Sequence, residues 1–400
     1  MVKIKLETKS PVYIGNTGNE YSRSEFAFAN INKEKKLIKL NLDLIAKELY
    51  TYDKDLFNDF IEVISDAKSF KNIKNYKENN PYNKNDKIDL KGLHGFLYNS
   101  IRPRDKDLFL KILLKFASYR CKLAYGVPYE KIMSNGETKK FRSKIESTDD
   151  IGVIKENLKT NSESFIPGST IKGAVRNALL YSDLNLGQVR NKQVSKEVKN
   201  KEKSLNRMMN FIQFSDSFNT IKEPTIYGVE SIGTNKNTFS FFETIGKDNS
   251  FELEYRNTFN SSVHSFRDLN GMDLSIESIF EKLYEFSEDL IKEEIRFIEE
   301  EVTYNDRFYH EVDDVKFYEF YEILKEENEE NSPLLRIGQG SGALTVSQLL
   351  NIKNSRSPRD FTAFRNHNHL GRRKEYDFPK TRKLVVNTLE PLGWVKLSKI

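Results

Sequence analysis

The chain opens on a strict alternation: Val2, Ile4 and Leu6 are apolar, and Lys3, Lys5 and Glu7 between them are charged. That period of two predicts a strand with one buried face. It runs into Ser10-Pro11-Val12-Tyr13-Ile14-Gly15-Asn16-Thr17-Gly18, where proline and glycine predict a turn. Phe26, Phe28 and Leu37 to Leu40 read as further short strands, and Leu42, Ile45, Leu49, Phe57, Phe60, Ile61 and Ile64 then take up a helical period. Residues 72–89 are polar and lysine-rich and read as a loop. Asp107 to Tyr125 reads as one helix, with Leu108, Ile112, Phe116, Tyr119 and Leu123 on one face.

A further helix is expected over Ser164 to Tyr181, capped by Ser169 or Thr170, with Ile171, Ala174, Val175, Ala178 and Leu179 as its apolar stripe. Residues 186–207 are lysine-rich and weakly periodic, which predicts a linker. From Phe211 onward FIQFSD, TIYGVESI, FSFFETI and FELEYRN read as strands. Helices follow at about 275–300 and 307–327, then strands in LLRIG, KLVVN and the closing WVKLSKI. Strands, helices and strands recur in each half. The pattern therefore predicts an α+β chain of two units, 1–205 and 206–400, with helical insertions at about 43–150 and 275–330.

Length and aromatic content fit packed domains: 400 residues with 28 Phe and 19 Tyr exceed what a disordered chain carries. The net charge of +5 hides strong segregation. Lys68 to Arg142 holds 18 Lys/Arg against 7 Asp/Glu, Glu277 to Glu330 holds 6 against 20, and Lys353 to Lys383 holds 10 against 3. Basic blocks of this size suit a polyanion, and the acidic block is expected to face away from it or toward a basic protein. Two solvated faces of opposite sign would give the same counts. A lone cysteine, Cys121, excludes a disulfide framework. There is no apolar run of membrane-spanning length and no signal-peptide core at the start, so a cytoplasmic protein with no membrane partner is the expectation.

Four segments could carry chemistry. In Ile166-Pro167-Gly168-Ser169-Thr170-Ile171-Lys172-Gly173-Ala174-Val175-Arg176, a helix start offers amides and a partial positive charge, and Lys172 and Arg176 lie on one helix face. An ordinary capped helix with two surface cations fits the same residues. Leu335-Arg336-Ile337-Gly338-Gln339-Gly340-Ser341-Gly342 follows a strand. Its alternating glycines permit positive φ and exposed amides, without the spacing of a Walker or dinucleotide loop; a tight hairpin fits too. Gly15 and Gly18 form a generic turn by themselves. Arg356, Arg359, Arg365, Arg372, Arg373 and Lys374 interleave with Phe361, Phe364, His367 and His369, the mixture that grips single-stranded nucleic acid; a solvated loop is the alternative.

The three glycine segments, in this order, resemble the RAMP superfamily of CRISPR proteins. With Pro391-Leu392-Gly393-Trp394-Val395 at the end, they look most like the type III-A (Csm complex) subunits that cap the effector near the 3′ end of the guide RNA. The resemblance implies two ferredoxin-like, RRM-like domains and a protein bound to the 3′ part of crRNA, with target RNA as a further contact. It implies partners in the repeating backbone RAMP subunit and the small helical subunit, and a part in crRNA maturation through host nucleases. RNA contact is expected at Gly15, Gly18, Gly168, Ser169, Lys172, Gly173, Arg176, Gly338, Gly340, Ser341, Gly342, Arg365, Arg372 and Arg373, with no cofactor and no metal.

Many RAMP relatives carry a histidine before the first Ile-Gly, where this chain has Tyr13. A phenol with an ordinary pKa of about 10 is a poor base at neutral pH. None of the five histidines has helical metal-ligand spacing, and Asp216 has no identifiable partner. A non-catalytic RNA-binding subunit is the expectation, with a crRNA-processing or target-cleaving endoribonuclease as the alternative and a phosphate-binding metabolic enzyme as the remaining one.

Overall fold

The computed structural model describes residues 1–65, 92–124, 129–132, 138–141, 151–233, 238–259, 273–302, 314–371, 378–386 and 388–400. Its first sheet has five strands in the order Ile212–Phe214, Ser250–Asn257, Val2–Thr8, Trp394–Lys399 and Leu334–Arg336, each neighbouring pair antiparallel. Helices Gly168–Asp183 and Ile276–Phe297 pack together beside it. Along the chain this is strand, helix, strand, strand, helix, strand, with a fifth strand, Trp394–Lys399, inserted between the first and the fourth, and the first lying beside the third. That is the ferredoxin-like arrangement. The alternation at the start has its expected consequence, since Ile4 and Leu6 are fully buried and join Leu253, Leu397, Val175 and Leu283 in one core.

The second sheet has seven strands in the order Gly15–Ser22, Val153–Asn157, Thr238–Thr244, Thr225–Ile232, Ala117–Leu123, Glu34–Leu40 and Phe26–Ile31. An eighth, Arg382–Val385, pairs with one end of Thr225–Ile232. Helices Leu42–Tyr52, Lys54–Ser65, Gly92–Phe96 and Lys106–Lys115 cover one end of this sheet. Their own core sets Ile45, Leu49, Phe60 and Ile112 against Ala27, Ile38 and Leu40. Two segments cross from one sheet to the other side by side. Val12 and Ile245 exchange both backbone hydrogen bonds, and the buried Thr8 hydroxyl donates to the Gly246 carbonyl (2.8 Å) and accepts from the Asn249 amide (2.9 Å).

Several expectations change. Both sheets draw strands from both sides of residue 205, so the expected boundary there does not separate them. The partners of the opening strand lie near residues 250 and 395, a pairing that no local pattern reveals. The segment 107–125 is a helix, Lys106–Lys115, followed by a strand, Ala117–Leu123, in which Cys121 is buried opposite Leu37. Tyr119, Cys121 and Leu123 fit a period of two as well as one of 3.6, and pairing with Glu34–Leu40 decides it. The expected linker is a 19-residue helix, Asn191–Met209, whose buried Val194, Leu205, Met208 and Met209 are thinly spaced among lysines. Helix Ile276–Phe297 is part of the ferredoxin-like unit rather than an insertion. Much of the proposed 43–150 insertion, including the 72–89 loop, lies outside the described residues.

The acidic helix also reaches inward. Glu294 is 1% exposed and pairs with two buried arginines, Arg382 at 2.5 Å and Arg336 at 3.6 Å. It fastens the helix to strands of both sheets, since Arg336 ends Leu334–Arg336 and Arg382 begins Arg382–Val385. Removing one member of such a cluster strands the rest in low dielectric, which costs about 3–5 kcal/mol. Glu294→Gln is therefore expected to lower stability by about that amount in a urea titration; a loss below about 1 kcal/mol would show that the arginines are matched without it.

Candidate nucleic-acid interface

The late glycine loop grows out of this buried cluster. Arg336 donates from Nε to the Leu392 carbonyl (3.0 Å) and from Nη2 to the Gly340 carbonyl (3.3 Å), with its guanidinium 5.8 Å from the Trp394 ring. Gly338, Gly340 and Gly342 take φ of +77°, +99° and +86°. The Ser341 hydroxyl donates to the Gly338 carbonyl (2.9 Å), and the Thr345 hydroxyl to the Ser341 carbonyl (2.9 Å). The loop's carbonyls are thus engaged from within. Among the described residues the amides of Gly340 and Gly342 donate to no protein acceptor, while Ser341 closes the turn and is buried.

The first glycine segment, expected as a turn, is the start of strand Gly15–Ser22, with an irregularity in its pairing between Gly15 and Glu20, and it lies directly against this loop. The Gln339 amide donates to the Tyr13 carbonyl (2.8 Å), and a Cβ on Gly338 would fall 2.4 Å from that oxygen. A Cβ on Gly15 would fall 2.6 Å from Gln339 Oε1. Glycine at 338 therefore lets two backbones meet, and glycine at 15 makes room for the Gln339 and Tyr13 side chains. Gly18, at φ +93°, faces open space.

Two lysines border the same place. Lys155 lies 5.1 Å and Lys383 5.7 Å from the centre of the Phe242 ring, which Tyr13 meets edge-on at 4.7 Å. The Lys383 stem runs against Gly340. Among the described residues neither ammonium has a carboxylate partner. Burial, and then the charge of Lys155, hold the Lys383 pKa below the ordinary lysine range. Two cations without an ion-pair partner, near unpaired amides, offer contacts suited to phosphate, beside the carboxylates of Glu20, Glu156 and Glu243. Burial, and then Glu20, Glu243 and Glu156, push Tyr13 up to about 12, so it stays protonated here. Sequence reasoning missed both lysines, because each sits alone in a strand and they meet only through the pairing of the second sheet.

The central motif joins the site only in part. Gly168 is buried, and a Cβ there would sit 2.0 Å from the Phe214 carbonyl, so this glycine admits a strand end rather than a phosphate. The helix is capped from outside by Asp216, which accepts from the Gly168 amide (2.9 Å), and not by Ser169 or Thr170. Asp216 thereby has a structural partner. One turn and more beyond, Asn177 donates to the Thr345 carbonyl (3.4 Å) and accepts from Gln348 (3.3 Å), which ties the helix to the segment after the late loop. Ser169 and Gly173 are exposed, Lys172 is half-buried, and Gly173 faces open space. The Arg176 guanidinium is engaged by Asn206 (2.6 Å) and Glu202 (3.2 Å).

In the basic tail, Phe361, Phe364 and Arg365 are buried, with Arg365 stacked 5.4 Å from the Phe378 ring. The expectation that these two rings and this arginine meet bases directly is corrected: both rings belong to the core. Arg372 and Arg373 lie outside the described residues. Among the described residues no cluster of His, Cys, Asp and Glu could hold a metal ion, and no helix is long and apolar enough to cross a membrane.

The glycines separate experimentally. Gly338→Ala, at positive φ and against the Tyr13 carbonyl, is expected to cost more than about 1–3 kcal/mol. Gly173→Ala, in an open helix position, is expected to gain about 0.5–1 kcal/mol. Melting curves that ranked the two the other way would contradict the placement of both residues.

A model of the RAMP superfamily matches residues 5–345. A chain in a cryo-EM structure of a Csm–crRNA–target RNA ternary complex of a type III-A CRISPR-Cas system is 19% identical, with 100% of both chains covered and a TM-score of 0.61. The crystal structure of T. onnurineus Csm5 is 18% identical, covering 98% of this chain and 99% of that one, with a TM-score of 0.56. No curated protein matches the chain. At these identities the two structures show a shared fold. The family model spans most of the chain, from the opening strand through the late glycine loop, and the chain belongs to the RAMP superfamily.

Proposed function

We propose that this chain is a non-catalytic RNA-binding subunit of a type III-A CRISPR effector complex. In this reading it holds the 3′ part of a crRNA and abuts the backbone RAMP subunit and the small helical subunit, in the service of antiviral defence. The observation that carries the reading is the place where the late loop, with its unpaired Gly340 and Gly342 amides, runs against the Lys383 stem, with Lys155 and Lys383 both at the Phe242 ring. Amides and lysines there would contact a ribose-phosphate backbone without reading bases. Family membership and a fold shared with a chain of a Csm–crRNA–target RNA complex support the RNA partner. A Tyr13 hydroxyl that holds its proton supports the absence of base catalysis at the position before Ile14-Gly15.

Each phosphate neutralised on a single strand adds about 0.7 to the slope of log affinity against log salt. Lys155→Ala with Lys383→Ala is expected to flatten that slope by about 1.4, measured by filter binding to unstructured RNA. An unchanged slope would remove the lysine pair from the interface. Lys383 must be protonated to bind phosphate and its pKa is held low, so affinity is expected to fall as pH rises into the alkaline range. The fall should begin below the ordinary lysine pKa of about 10.4. Lys383→Arg, permanently charged, should shift that fall to higher pH; an identical profile in both proteins would assign the pH dependence elsewhere.

A further inference from the structure

The helix Asn191–Met209 lies apart from the glycine loop and presents a charge pattern that this loop does not use. Lys192, Lys196, Lys199, Lys203 and Arg207 follow one another at intervals of four, three, four and four residues. At about 100° per residue these positions fall on one face. All five are exposed, and they lie opposite the buried Val194, Leu205 and Met208. With a rise of about 1.5 Å per residue the stripe is roughly 22 Å long, with a cation every 4.5–6 Å.

Two of the acids near this helix are engaged by other cations, and Glu197 lies on the side of the helix away from the stripe. Glu202 pairs with Arg176 at 3.2 Å, and Asp183 with Lys201 at 3.0 Å. Among the described residues no carboxylate lies within ion-pair distance of any of the five stripe cations. Five like charges in a row raise one another's energy, and an extended polyanion relieves all of them together. No apolar side chain interrupts the exposed face. Protein interfaces are built on aromatic and apolar anchors and are depleted in lysine, so the pattern favours nucleic acid over an acidic protein.

We propose that this face is a second RNA track, in which the stripe lies along successive phosphates of a single strand beyond the segment held at the glycine loop. The inference rests on the RNA-binding reading above and adds a separate contact surface to it. The track is sequence-independent, since flexible ammonium groups spaced along a helix meet phosphates and not base edges.

The test replaces Lys192, Lys196, Lys199 and Lys203 together by glutamine in the full chain. Binding is measured to an unstructured RNA of about 40 nucleotides and to one of about five, across a salt series. The variant is expected to lose up to about 2.8 from the salt slope with the long RNA, roughly tenfold or more in affinity, and little with the short one. The fourfold arginine variant should keep the wild-type slope. In parallel, the unaltered protein is crosslinked to long RNA carrying photoreactive uridines, which needs no variant to fold; peptides from 191–209 are expected among the products. If the wild type binds no RNA, the functional reading itself fails. If the wild type binds and the glutamine variant matches it on long RNA, or no crosslink falls on this helix, the track alone is overturned. Unchanged RNA binding with loss of a protein subunit from the reconstituted complex would overturn it in favour of a protein-docking face.

Discussion

A guanidinium sealed inside a protein must be matched by charge and hydrogen bonds, and Arg336 organises the site because it is matched on both sides. Glu294 neutralises it from the acidic helix, and the Leu392 and Gly340 carbonyls take its N–H groups. With the Gly340 carbonyl taken by the arginine and the Gly338 and Ser341 carbonyls by the Ser341 and Thr345 hydroxyls, the loop turns tightly on itself and leaves the Gly340 and Gly342 amides without an acceptor. Glycines at positive φ make that turn inexpensive. Burial of one cation in the core and unpaired amides in the loop above it are therefore two sides of the same turn. The strongly acidic stretch, whose composition alone predicts repulsion of RNA, helps to build the place proposed to receive it.

The same economy governs the other glycines of the motif. Gly338 serves the approach of two backbones, Gly15 the packing of the Gln339 and Tyr13 side chains, and Gly168 the approach of a helix start to the end of Ile212–Phe214. Only Gly18, Gly173 and the outer part of the late loop face open space or solvent. The motifs mark the joints of the ferredoxin-like unit as much as they mark an interface. Strands and helices from both ends of the chain converge there, which is why the segments occur so far apart in sequence.

What could be read beforehand was whatever is local. The period-two opening strand, the helix pair after Leu40, the strand series from Phe211 and the positive φ of the late glycines all follow from neighbours a few residues away. What could not be read depended on partners. Lys155 and Lys383 look like any strand lysines until sheet pairing brings them to the Phe242 ring. Arg365 and Arg176 look like surface cations until Phe378 and Glu202 engage them. The helix at 191–209 was hidden because its few apolar residues are diluted by lysine, and its tertiary contacts rather than its propensity hold it in place.

The central claim is that unpaired loop amides, supported from below by a buried arginine and with two unpaired lysines at the neighbouring Phe242 ring, receive a phosphate strand. A structure of the protein with bound single-stranded RNA addresses this most directly. The account predicts a phosphate within hydrogen-bonding distance of the Gly340 or Gly342 amide, with the Lys155 or Lys383 ammonium on the same phosphate or the next. Well-ordered RNA that ran along other surfaces and left this loop to solvent would contradict it.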